Sequence, residues 1–207
     1  MKHGVYVREQ KTSVSTPVVA ESGVPFVVGT APVHSAESPA ALFTPVLCTD
    51  WEDAVKKLGY SDDWKTYTIC EVMYSHFKLF QRQPIIFCNV LDPSTNKEAV
   101  AGAEVTLSGK QAKLPFDAIL SSLVVKTASS SESPLVKDTD YAAYYSDGNL
   151  IVETIEDGAA KAATKLYISY DKIKTADIDD DDIVKGIEAI DLCMATVSTT
   201  PDLIIAP

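Results

Sequence analysis

No segment of this 207-residue sequence is apolar for long enough to cross a bilayer. The longest apolar runs, at residues 25–28, 85–90 and 203–207, fall far short of a spanning helix. The opening MKHGVYVREQKTS lacks the apolar stretch that directs secretion. These absences predict a soluble protein made in a cytoplasm, with no membrane anchoring. Phosphate-cradling signatures are missing as well: residues 23–29 do not read G-x-G-x-x-G, and no G-K-[ST] follows a strand-like run. No serine occupies G-x-S-x-G, and the serines of 129–133 read as a flexible loop.

Histidine is scarce. His3, His34 and His76 stand alone, without the spacing of metal ligands, and His76 reads as a partly exposed helix residue. The four cysteines, Cys48, Cys70, Cys88 and Cys193, form no C-x-x-C pair and sit among apolar neighbours, which predicts reduced, buried thiols. The acidic run at 177–182 lacks the glycine and the distal glutamate of a calcium loop, so it reads as a solvated cap on the helix after it. The pairs Asp62/Asp63 and Glu52/Asp53 likewise read as helix-start acids rather than an acid/base dyad. A net charge of −11 repels phosphate backbones and argues against nucleic-acid binding. No cofactor, metal or catalytic residue is expected, and the sequence does not read as that of an enzyme.

What is present is strand and helix patterning. Residues 4–9 alternate, with Val5 and Val7 on one face and Tyr6 and Arg8 on the other. A polar, β-branched linker follows, and no hairpin partner is near, so this strand needs a partner elsewhere, including another chain. Residues 24–30 are continuously apolar, as in a central strand buried on both faces. A short strand at 45–48 precedes a helix capped at Thr49 or Asp50 and stopped by Gly59; a second helix, opened by Asp62 and Asp63, runs to about Phe80. Residues 85–90 form another buried strand.

Beyond about residue 96 the helical period disappears. Short β-rich runs follow at 103–108, 120–126, 141–145, 150–155 and 166–170, and Asp147-Gly148 between two of them is the strongest hairpin signal in the chain. Five or six strands here predict a small all-β barrel or sandwich inserted into the α/β layer. A third helix is marked by Ile183, Ile187, Ile190 and Met194, and residues 202–207 begin a further strand. The expected organisation is an arm and linker at 1–22, an α/β (α+β) core in two parts at 23–95 and 176–207, and the insert at 96–175. The core layer reads as incomplete, and the chain is expected to continue past Pro207 in a longer protein.

Several stretches resemble the tail sheath family of contractile-tailed phages and the related R-type bacteriocins. They are H-G-V-Y-V-R-E, G-V-P-F-V-V-G-T-A-P-V, T-P-V-L-C-T-D-W-E-D-A-V-K-K-L-G-Y-S-D-D-W, Y-T-I-C-E-V-M-Y-S-H-F, P-I-I-F-C-N-V-L-D-P and P-D-L-I-I-A-P, in that order. The resemblance covers residues 1–95 and, less closely, 183–207. It implies a homo-oligomeric structural subunit of a virion tail, stacked as hexameric rings around an inner tail tube protein above a baseplate. Contraction would drive the tube, and an arm carrying Val5, Tyr6, Val7 and Arg8 would pair with neighbouring subunits. The rival readings are a virion or cell-surface binding module built on the β insert, and an enzyme whose site has no recognisable motif.

Overall fold

A computed structural model describes residues 23–129 and 133–207. The arm, with Val5, Tyr6, Val7 and Arg8, lies outside the described residues, as do residues 130–132 of the Ser-rich loop. The chain is α+β. The described strands are β1 Pro25–Gly29, β2 Val46–Cys48, β3 Ile85–Asn89, β4 Lys97–Thr106, β5 Gln111–Pro115, β6 Val124–Lys126, β7 Tyr141–Ser146, β8 Asn149–Thr154, β9 Lys165–Ile173 and β10 Leu203–Ile205. The helices are α1 Trp51–Leu58, α2 Thr68–Met73, α3 Asp180–Glu188 and the single turn α4 Cys193–Thr196.

The first sheet has the order β10-β1-β3-β2; β1 is parallel to both β10 and β3, and β2 is antiparallel to β3. Every residue of β1 and β3 is buried. Side chains alternate across a strand, so each sends its residues into two cores. Val27, Ile85 and Phe87 pack under α1 and α2 with Leu58, Ile69, Met73 and Phe77. Phe26, Val28, Ile86 and Cys88 pack under α3 with Ile183 and Ile187. This is the two-faced burial that the continuous apolar runs require.

Local chemistry sets the helix ends. Asp50 caps α1 by accepting from the Asp53 N–H at 2.8 Å, and Gly59 ends it with φ 73°. The second helix departs from expectation: it starts at Thr68, not at Asp62 and Asp63. Its first donors are satisfied from the end of β1, with the Thr68 N–H donating to Thr30 Oγ1 at 3.0 Å and the Ile69 N–H to Thr30 O at 3.1 Å. Asp63 instead closes the preceding turn by accepting from the Thr66 hydroxyl at 2.6 Å. The helix then widens into a π-turn over Tyr74–Leu79. The acidic run behaves as a cap, since Asp179 accepts from the Asp182 N–H at 3.1 Å.

Strands β4 to β9 form two three-stranded antiparallel sheets, β4-β9-β6 and β5-β8-β7, rather than a closed barrel. They share one core, including Leu114, Val125, Leu150, Val152, Leu166 and Ile168. The Asp147-Gly148 turn has φ 49° and 67°, both positive as a two-residue type I′ hairpin demands, and joins β7 to β8. β4 leaves the α/β layer beside the returning β9: Lys97 is in register with Ile173, and the Lys174 N–H donates to Asn96 O at 2.9 Å.

All four cysteines are buried and free. Burial pushes the thiols of Cys48, Cys70 and Cys88 up to about 12, and that of Cys193 upward as well.

Gly186 shows how tightly α3 sits on the sheet. A Cβ there would lie 2.7 Å from Val90 Cγ1 and nearer still to Val28 Cγ1. Both neighbours are β-branched and stiff. Gly186→Ala therefore sets a helix-propensity gain of about 1 kcal/mol against an overpacking cost of about 1–3 kcal/mol. We expect net destabilisation by about 1 kcal/mol, measured as a lower urea midpoint at unchanged slope; a raised midpoint would show that α3 is not held against β1 and β3.

Candidate functional site

Of the polar residues singled out in the sequence, His3 lies outside the described residues, while Asp53, Asp62, Asp63 and His76 are engaged in capping, pairing or local hydrogen bonds. His76 lies on the π-turn, with Nδ1 3.2 Å from Val72 O. Asp53 pairs with Lys57 at 2.8 Å, and Asp62 accepts from the Tyr60 hydroxyl at 2.9 Å. Trp51, Tyr60, Trp64 and Tyr74 form an aromatic chain, with ring centroids 4.7 Å apart for Trp51 and Tyr60 and 5.6 Å for Trp64 and Tyr74. Among the described residues no three of His, Cys, Asp or Glu gather in the manner of a metal site. No described helix is long and apolar enough to cross a membrane.

Two features stand out instead. The first is an open strand edge. Among the described residues β10 has a neighbour on one side only. Asp202 holds it there: Oδ2 accepts from the Gly23 N–H at 2.8 Å and the Val24 N–H at 3.3 Å, and the Asp202 N–H donates to Val24 O at 3.0 Å. Leu203 and Ile204 are exposed, while Ile205 packs inward. An apolar strand with free N–H and C=O groups along one side is a template for a further strand.

The second is a clasp between the α/β layer and the β sheets. His34 follows β1, and its ring meets Phe116 at 5.4 Å, Tyr145 at 5.8 Å and Tyr67 at 5.9 Å. Nε2 lies 3.0 Å from Phe116 O. A carbonyl only accepts, so Nε2 carries the proton and Nδ1 is the bare nitrogen. That Nδ1 and the Tyr67 hydroxyl are enclosed without a protein hydrogen-bond partner. Tyr145 completes the contact by donating its hydroxyl to Ala118 O at 2.7 Å and accepting from the Leu120 N–H at 3.2 Å. Sequence reasoning missed this cluster, because four aromatic residues far apart in the chain carry no local signal.

The α+β layer thus leaves β10 with one unpaired side among the described residues and is clasped to a pair of β sheets through His34. No family model matches the chain, and no solved structure matches it. Over 182 residues the chain is 29% identical to the tail sheath protein of Burkholderia phage BcepMu. The match covers 85% of this chain and 36% of that protein, so the chain spans about a third of its relative's length.

The clasp predicts a pH dependence. Burial lowers the His34 pKa to about 4 from an ordinary value of 6.5, partly opposed by the bond to Phe116 O. Below pH 6.5 the unfolded chain binds a proton that the folded chain refuses. Stability is therefore full above 6.5 and falls until the folded form titrates near 4. The loss is on the order of 3 kcal/mol over that window. Urea unfolding of the parent and of His34→Gln at pH 7, 5.5 and 4.5 tests this: the parent should lose more stability than the variant on acidification. Parallel losses would remove His34 as the cause.

Proposed function

We propose that this chain is part of a structural subunit of a contractile phage tail sheath, polymerising around an inner tube and driving it by contraction. The observation that carries the reading is the likeness to a phage tail sheath protein over 85% of the chain. The order of sequence motifs, from H-G-V-Y-V-R-E to P-D-L-I-I-A-P, supports it. On this reading the chain is not an enzyme. Its partners are other copies in stacked hexameric rings, the tail tube protein and the baseplate, and its place is the tail of a virion or of a bacteriocin-like particle.

The arm is the moving part of the proposal. Val5 and Val7 would dock on a neighbour's sheet while Tyr6 and Arg8 face outward. The linker after Glu9 gives it reach, at about 3.3 Å per extended residue. Negative-stain electron microscopy of the full gene product should show rings or tubes, and removing residues 1–15 should leave the melting temperature nearly unchanged while blocking long tubes. Tubes of normal length without the arm would sink its role, and the absence of any ring or tube would sink the sheath reading.

Residues 96–175 are proposed as an inserted domain. The support is the shared core of its two sheets and the meeting of its ends at Lys97 and Ile173. Expressed alone, the segment should give a strand-rich circular dichroism spectrum and a single cooperative melt. A disordered spectrum would make it dependent on the α/β layer.

A further inference from the structure

Two exposed surfaces on opposite sides of the α/β layer complement one another. The first is the knuckle where the π-turn ends. The widened turn, closed by the Phe80 N–H to Ser75 O at 2.9 Å and the Arg82 N–H to His76 O at 2.8 Å, turns Phe77 inward to within 6.3 Å of the Phe87 ring. The next residues are pushed out. Leu79 is 60% exposed and Phe80 68%. Adjacent large apolar side chains this open are uncommon, whereas single ones are ordinary surface. Lys78 and Arg82 flank them. Lys78 lies 4.5 Å over the Trp51 ring, and neither cation has a carboxylate partner among the described residues. The exposed acid of the same helix, Glu71, lies about two turns earlier.

The second surface is the outer ridge of α3 and the turn after it. Ile183, Ile187 and Ile190 face the sheet. Asp181, Val184, Glu188, Asp191 and Leu192 recur at helical spacing on the side away from it, and Met194 adds a third exposed apolar side chain. Lys185 is committed to Asp182 at 3.0 Å. Asp181, Glu188 and Asp191 have no ion-pair partner among the described residues. This ridge is apolar with acids, as the knuckle is apolar with cations.

We propose that the knuckle of one copy docks on the α3 ridge of the next, with Leu79 and Phe80 against Val184 and Leu192, and Lys78 and Arg82 facing Glu188 and Asp191. The two surfaces lie on opposite faces of the first sheet, one beside α2 and the other on α3, so one molecule cannot join its own pair. The contact is head-to-tail, and repeating it builds a ring or a helix rather than a closed twofold dimer. A second copy is the occupant because this chain itself supplies both halves of the complementarity. A nucleic acid or an anionic membrane is disfavoured by two cations in a chain of net charge −11. The inference rests on reading the chain as a repeating subunit. It is measured in solution without tubes, so its failure and that of the arm are separable.

The test uses two variants of the whole chain. Phe80→Asp with Arg82→Glu blocks the knuckle and leaves the ridge; Val184→Asp with Leu192→Asp does the reverse, and because both blocked surfaces are then acidic they cannot pair with one another. All four positions are exposed, and circular dichroism checks folding. The single changes Phe80→Asp and Leu192→Asp serve if either double variant misfolds. Sedimentation of the parent at about 100 µM, enough to populate contacts of micromolar affinity, should show association that weakens as salt rises. Each variant alone should stay monomeric under the same conditions. Mixed, the two should form a one-to-one dimer that grows no further, because each then offers one intact surface. A monomeric parent, variants that associate as the parent does, or folded variants that fail to pair when mixed would each overturn the proposal.

Discussion

The rest of the structure depends on the two-faced burial of β1 and β3. Ten consecutive-in-space residues, Pro25–Gly29 and Ile85–Asn89, hide every side chain. Each apolar side chain so buried contributes about 1.5–3 kcal/mol only if both faces are covered. The segment between the two strands supplies α1 and α2 for one face. Cover for the other comes from α3, which arrives only after the whole of β4 to β9. That order forces β9 to return to where β4 left, and the pairing of Lys97 with Ile173 is the result. Asn89 ties the layer together where the central strands end. It is 1% exposed; its Oδ1 accepts from the Ala31 N–H at 3.0 Å and the Leu91 N–H at 3.1 Å, and its Nδ2 donates to Leu91 O at 2.7 Å. A buried amide left unpaired costs about 1–3 kcal/mol, so this residue fixes how both strands exit.

The aromatic clasp is held differently. His34, Phe116 and Tyr145 meet through ring packing and three bonds to backbone groups, with no ion pair among them. Such a contact is insensitive to salt. It is sensitive to a proton, because the enclosed Nδ1 has nowhere to direct an N–H. The knuckle and the α3 ridge are the reverse case: exposed charge beside exposed apolar groups responds to ionic strength.

Much of this was legible in the residues themselves. β1 and β3 were visible as continuous apolar runs, α1 through its Asp50 cap and Gly59 stop, and the β7–β8 hairpin because Asp-Gly satisfies two positive φ angles in succession. β5 was missed: Gln111–Pro115 has only Ala112 and Leu114 facing inward, with Lys113 between them and a proline at its end. The first half of β4 was missed because Lys97, Glu98 and Ala99 are exposed and show no alternation. The start of α2 was misplaced, since Thr30, far away in sequence, supplies the cap that Asp63 was expected to give. A π-turn adds one residue to a helical turn, and the apolar spacing of Phe77 and Phe80 conceals it. The strand β10 was visible as L-I-I-A, but its position at the sheet edge was not, and the His34 cluster exists only in three dimensions. The arm residues Val5 to Arg8 alternate as a strand would, and they lie outside the described residues.

The buried cysteines carry one more consequence. A thiol reacts as its thiolate, and burial holds those of Cys48, Cys70 and Cys88 protonated to about 12. At neutral pH almost none of the reactive form exists, and each sulfur is shielded from dissolved oxidants. A molecule assembled in a reducing cell interior and then released into aerated water meets a large change in redox potential. The described fold holds no crosslink and offers no exposed thiol to form one, so its packing does not lean on the redox potential around it.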